Sequence, residues 1–228
     1  AMIPFQSGIQ VSGDDFCGRQ KELGELREIM LSHGRVYVVG ERRIGKTSLI
    51  LEAAKGLKQP TIYVDLSAVK TPGDVCQRVA AAMIRSESQS NNLTALFKRL
   101  SHLKVSVSLD PVTNTPSVGL VPGMAQQPEN LDQIFDVLNE LRDPIIILDE
   151  FQDILQLKDH QSFAARLRGL IQFQQNMAFV FSGSIRHNMI DIFTNHDSPF
   201  YMMALGMPIG PIEREEFEAA ARLRDQIE

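Results

Sequence analysis

The run Val36-Tyr37-Val38-Val39-Gly40-Glu41-Arg42-Arg43-Ile44-Gly45-Lys46-Thr47-Ser48-Leu49 constrains this chain more than any other. Its apolar, largely β-branched opening reads as a buried strand. Gly40 and Gly45 bracket four residues, and Lys46-Thr47 follow at the start of a helix. This is the phosphate-loop spacing G-x-x-x-x-G-K-[ST]. Glycines let such a loop close so that successive backbone N–H groups point inward, and the helix that follows adds the positive end of its dipole. The spacing alone arises by chance in about one chain in a hundred of this length, and the strand-then-helix context makes coincidence rarer. The candidate nucleotide-binding residues are therefore Gly40, Arg42, Arg43, Ile44, Gly45, Lys46, Thr47 and Ser48. Lys46 is placed to reach the β- and γ-phosphates, and the Thr47 hydroxyl to ligate Mg²⁺.

A second stretch carries the complementary chemistry. Ile145-Ile146-Ile147-Leu148-Asp149-Glu150 is four branched apolar residues ending in two acids, the pattern of a central parallel strand that delivers carboxylates at its C-terminal edge. Asp149 is the candidate metal-holding acid alongside Thr47, and Glu150 is placed to polarise an attacking water. Met177-Ala178-Phe179-Val180-Phe181-Ser182-Gly183-Ser184 reads as a further buried strand ending in small hydroxyl residues. If it lies beside the acidic strand, Ser182 or Ser184 comes close to the γ-phosphate, and Ser184 is taken as the catalytic candidate. An ordinary strand-terminating turn explains the same residues.

Elsewhere the chain alternates helical and extended patterns. A helix is expected from Asp14-Asp15 to about Ser32, a strand over Thr61–Leu66, and a helix over 72–86 whose start, Thr71-Pro72-Gly73-Asp74, has an N-cap hydroxyl, a first-turn proline and an acid three residues on. Further helices are expected over 93–100, 128–142, 163–174, 185–193 and 213–228, with a last strand over Ala204–Ile209. Residues 103–124 alternate strictly on either side of Asp110-Pro111-Val112-Thr113-Asn114, the pattern of a β-hairpin inserted into the α/β framework. Asp65 reads as a strand-end carboxylate or a polar contact to the site.

Composition narrows the class. Hydrophobic content of 43% supports a real core, and a net charge of −5 gives no footprint for a nucleic-acid backbone. Cys17 and Cys76 lie far apart without metal-ligand spacing, as expected for reduced thiols. No run approaches a membrane span and no signal-peptide pattern opens the chain, so the expected setting is cytoplasmic, with no membrane partner.

Four landmarks stand in order: Phe16-Cys17-Gly18-Arg19 with Glu22-Leu23, Gly40 to Leu49, Leu148-Asp149-Glu150-Phe151-Gln152, and Phe181-Ser182-Gly183-Ser184. Together they resemble the archaeal-type P-loop ATPases, a prokaryotic group near the STAND and origin-recognition branches of the AAA+ superfamily. Arg42-Arg43 within the loop and the Asp-Glu-Phe-Gln run are the most group-specific pieces. The resemblance implies a three-layer αβα core with a five-stranded parallel sheet, in which the acidic strand neighbours the phosphate-loop strand. It also implies that Phe16, Gly18 and Arg19 lie against the adenine. The ATPase core is expected over residues 1–212, with 213–228 beginning a helical lid. In this reading DNA would be reached only through a C-terminal module. Relatives carry an arginine after the Ser-Pro-hydrophobic-Tyr run, whereas Ser198-Pro199-Phe200-Tyr201 is followed here by Met202-Met203.

The expected cofactors are ATP or ADP with Mg²⁺, and the expected activity is Mg²⁺-dependent ATP hydrolysis coupled to a protein partner, to self-association or to a further domain. The rival is a nucleotide switch that binds without hydrolysing. A small-molecule kinase fits the loop but not the Asp149-Glu150 pair, since a water-polarising carboxylate favours hydrolysis over transfer.

Overall fold

The computed structural model describes residues 18–87, 105–109, 116–120, 129–184 and 189–212. In chain order they form α1 (Gln20–Leu31), β1 (Arg35–Gly40), α2 (Lys46–Ala54), β2 (Thr61–Asp65), α3 (Pro72–Glu87), β3 (Val105–Leu109) and β4 (Pro116–Leu120). Then follow α4 (Glu129–Asn139), β5 (Ile145–Asp149), a 3-10 helix over Phe151–Gln156, α5 (His160–Gln172), β6 (Ala178–Ser184), α6 (Met189–Thr194) and β7 (Leu205–Ile209).

The main sheet has five strands in the order β2-β5-β6-β1-β7, and every neighbouring pair is parallel. The fold is the expected α/β P-loop arrangement, with one correction. The acidic strand β5 is not next to the phosphate-loop strand β1, because β6 lies between them. All seven residues of β6 are buried, as are all five of β5. These two fully buried strands lie inside the sheet together with β1, where helices cover both faces.

Strand alternation sorts the core into two layers. Val36, Val38, Ile145, Ile147, Ala178 and Val180 pack against Leu26 and Met30 of α1 and Leu49, Ile50 and Ala53 of α2. Ile146, Leu148, Phe179 and Phe181 point the other way, into a layer built with α3, α4, α5 and α6. On that side Phe151, fully buried just after the acidic strand, meets Phe181 at 4.7 Å and Phe200 edge-on at 5.1 Å between ring centroids.

The local start signal of α3 is realised. The Asp74 N–H donates to the Thr71 hydroxyl, and Asp74 Oδ2 accepts from the N–H groups of Lys70 and Thr71. Asp65 accepts from the Ser67 N–H and hydroxyl, a strand-end turn. Strands β3 and β4 pair antiparallel as a separate two-stranded sheet, Val105 opposite Leu120 and Leu109 opposite Pro116. The segment 110–115 between them, and the helices expected over 93–100 and 213–228, lie outside the described residues.

Candidate nucleotide site

The phosphate loop follows β1 and is bounded by backbone that most side chains resist. Gly45 caps α2 at φ +94°, and Arg43 sits at φ +61°. Gly45 suits its position because that φ strains any residue with a Cβ. Gly40 answers a different need, since a Cβ there would stand 2.6 Å from the Ile209 carbonyl oxygen on β7. Glu41, Arg42 and Arg43 are exposed at the rim, Ile44 is half-buried, and Ser48 is buried in the first turn of α2.

Lys46 is buried, and its Nζ donates to the carbonyls of Gly40 at 3.1 Å and Glu41 at 3.0 Å. Burial lowers its pKa, Arg42 adds to that effect, and Glu150, Asp149 and Glu41 oppose it. The ammonium is thus held over the loop by two neutral oxygens. A phosphate offers charged oxygens to the same donors, which makes a stronger contact.

Asp149 is the best-partnered group in the site. Its Oδ2 accepts from the Thr47 hydroxyl at 2.7 Å and the Tyr63 hydroxyl at 2.8 Å. Its Oδ1 accepts from the Glu150 N–H at 3.0 Å and from the buried Ser182 hydroxyl. Burial, and next the Asp149 charge, push the Tyr63 hydroxyl well above its ordinary pKa, so it remains a donor. The topology explains the convergence. Residues 63, 149, 182 and 184 continue the α2-facing side of β2, β5 and β6, and these three strands are consecutive in the sheet.

The two hydroxyls at the end of β6 differ. Ser182 is engaged by Asp149, whereas the Ser184 Oγ is fully buried without a hydrogen-bond partner among the described residues. Ser184 is in register with Gly40, the first residue of the loop. Glu150 follows β5 at φ +51°, and its Oε2 accepts from the Gln152 side-chain amide at 2.6 Å. Arg19 is buried, and its guanidinium donates to the carbonyls of Ile44 at 3.2 Å and Gly210 at 2.7 Å, tying the phosphate loop to the exit of β7. Gly18 precedes it at φ +72°. Phe16 lies outside the described residues.

Tyr63 and Gln152 are the site residues that reading the sequence missed. Tyr63 looked like an ordinary strand aromatic, and only the pairing of β2 with β5 brings it to Asp149. Gln152 belongs to the Asp-Glu-Phe-Gln run, but nothing in those residues shows that its amide turns back on Glu150.

The residues present fit a nucleoside triphosphate with a divalent cation. The loop is open at Gly45, where a Cβ would meet nothing within 4 Å. Ser184 offers beside the loop a hydroxyl without a partner among the described residues. Thr47 and Asp149 together supply hard oxygen donors. Among the described residues no three His, Cys, Asp or Glu side chains gather as a cation cage. A cation here would take its remaining ligands from phosphate and water, as Mg²⁺ does.

A parallel sheet with a phosphate loop after its first strand and an acid pair at a central strand end defines a P-loop nucleoside triphosphatase fold. Residues 30–188 match the AAA domain family, and the chain belongs to it. It carries an ATP-binding AAA+ module. No curated protein matches the chain in sequence. Among solved structures it is similar to a Walker-type ATPase of Pyrococcus abyssi, with 20% identity, a TM-score of 0.63, and coverage of 99% of this chain and 63% of that one. It is similar to the ORC1 protein of Aeropyrum pernix in complex with DNA, with 17% identity, a TM-score of 0.57, and coverage of 94% and 51%. It is also similar to a STAND protein with a tetratricopeptide repeat sensor from Pyrococcus horikoshii, with 17% identity, a TM-score of 0.53, and coverage of 99% and 28%. The chain thus spans less than two thirds of each of these proteins. No helix among the described residues is long and apolar enough to cross a membrane.

Proposed function

We propose that this module hydrolyses ATP with Mg²⁺ and passes its nucleotide state to a partner or a further domain. The observation that carries the reading is the 2.7 Å hydrogen bond between Thr47 of the phosphate loop and Asp149 of β5, residues 102 positions apart. In P-loop enzymes a metal-binding hydroxyl and its carboxylate stand together in this way. The loop N–H groups from Gly40 to Ser48 and the Lys46 ammonium hold the phosphates. Thr47 and Asp149 would hold Mg²⁺, which would supply neutralisation of the phosphate charge. Glu150 orients a water and takes its proton, and Ser184 donates to the terminal phosphate. Gly18 and Arg19, with Phe16, border the base end of the nucleotide.

At −5 the segment has no charge footprint for gripping nucleic acid. DNA contact of the kind named for the Aeropyrum pernix protein would fall to a module outside this sequence.

Single-turnover phosphate release at saturating ATP tests the reading. Glu150→Gln keeps shape and loses the negative charge, so ATP affinity should hold while hydrolysis falls by roughly 10²-fold or more. If wild type releases no phosphate above background and Glu150→Gln binds ATP identically, the non-hydrolysing switch replaces the ATPase.

A further inference from the structure

The Gln152 side chain is buried but only half satisfied. Its Nε2 donates to Glu150 Oε2 at 2.6 Å and, at 3.4 Å, to Asp153 Oδ1. Its Oε1 has no hydrogen-bond partner among the described residues. Packing alone does not account for this arrangement, because a methionine or leucine would fill the same slot without burying an unpaired carbonyl oxygen. The nitrogen must face the carboxylate, since the amide oxygen in its place would set two acceptors against each other.

Strand β6 makes the slot. A Cβ on Gly183 would stand 2.2 Å from Gln152 Oε1, and 2.9 Å from the Met189 sulfur. Gly183 is therefore the point where β6 lacks a side chain and Gln152 lies in the gap. Ser182 and Ser184 flank it on the opposite face of the strand. Glu150 itself sits at a positive φ that non-glycine residues resist, with Phe151 anchored in the aromatic core directly behind it. Among the described residues, the one side-chain hydrogen bond to its carboxylate comes from the Gln152 amide.

We propose that Gln152, seated in the gap at Gly183, is a positioning residue that aims Glu150. Holding Oε2 leaves Oε1 free to accept a proton from water in one orientation. Because Gly183 lies between Ser182 and Ser184, the same strand end that meets the metal-binding acid and the terminal phosphate sets where the base points. The inference deepens the proposed ATPase reading and rests on the role given there to Glu150.

The test uses the full natural protein, with phosphate release, ATP affinity and the pH–rate profile measured for each variant. Gln152→Ala should lower kcat about tenfold or more with KM and ATP affinity within about twofold of wild type, the size expected for losing a charge-assisted hydrogen bond that orients but does not bind substrate. Gln152→Glu should move the acid limb of the profile up by about one pH unit or more, because two facing carboxylates hold one proton more tightly. Gly183→Ala should lower kcat in wild type but not in the Gln152→Ala background. Wild-type turnover and an unmoved profile for both Gln152 variants, beside a dead Glu150→Gln, would overturn this inference and leave the ATPase reading standing. Additive losses for Gly183→Ala and Gln152→Ala would do the same. A Glu150→Gln variant that releases phosphate as fast as wild type would overturn the role given to Glu150 and this inference with it, and a wild type with no release above background would overturn the ATPase reading as well.

Discussion

The phosphate loop and the end of β5 face each other across one site, yet they are built by opposite means. The loop is made by neighbours: Lys46 reaches carbonyls five and six residues back in the chain, and Gly45 caps the helix that Lys46 opens. Asp149 draws its side-chain donors from residues 102, 86 and 33 positions away. The loop therefore has single parts, each aimed at the ligand. The acid has redundant support, and its donors hold it in place before any ligand arrives. Loss of one part of the loop should be severe, and loss of one support of Asp149 should be graded.

The largest effect expected is on the loop. Lys46→Ala should weaken ATP binding by about 10²-fold or more, because Arg42 and Arg43 are exposed at the rim while Lys46 is buried over the loop, where its charge-assisted contact is worth up to about 3 kcal/mol. Calorimetry that finds near-normal affinity in a folded variant would remove the phosphate-binding assignment and collapse the comparison.

Next comes the acid itself. Asp149→Asn keeps the shape of the strand end and loses the charge that would hold the cation. Titration with MgCl₂ at fixed ATP should show the half-saturating Mg²⁺ concentration raised by about tenfold or more, with metal-free nucleotide binding little changed. An unchanged Mg²⁺ requirement would mean that Asp149 serves only to tie β5 to Thr47.

Removing one support should do less. In Tyr63→Phe the hydroxyls of Thr47 and Ser182 and the Glu150 N–H still hold Asp149. The Mg²⁺ requirement should rise only about two- to fivefold, and melting should report a loss of about 1 kcal/mol. An effect as large as that of Asp149→Asn would show that the supports are not redundant.

The smallest effect belongs to a device as local as the loop but far from the chemistry. Burial alone would raise the Asp74 pKa, but the N–H groups of Lys70 and Thr71, the Thr71 hydroxyl and Arg78 outweigh it and hold the carboxyl below its ordinary value of 3.8. A carboxyl held low in the folded state contributes its full stability above the ordinary value and loses it as pH falls through the folded one. The melting difference between wild type and Asp74→Asn should be about 0.5 kcal/mol near neutrality and should shrink at pH below about 4, with ATP binding unaffected. A difference that grows on acidification would mean that the contacts seen at the start of α3 do not govern its stability.

The same division separates what was legible in the sequence. Gly40, Gly45, Lys46 and Thr47 announced a phosphate loop, because the constraint is a spacing of a few residues along one turn of chain. Thr71 and Asp74 announced the start of α3 for the same reason, and the apolar run 145–148 announced a strand buried on both faces with acids at its end. Strand order was not written there. The resemblance placed β5 beside β1, and only the folded sheet shows β6 between them. Tyr63 meets Asp149, Gln152 turns onto Glu150, and Ser182 engages Asp149 while the Ser184 hydroxyl has no partner among the described residues, all of which depends on which strands are adjacent and in what register. Hydrophobic pattern and turn chemistry act between neighbours and can be read one residue at a time. Which strand lies beside which is settled by the burial of whole faces at once, so the loop was readable from its own residues and the surroundings of Asp149 and Glu150 had to wait for the fold.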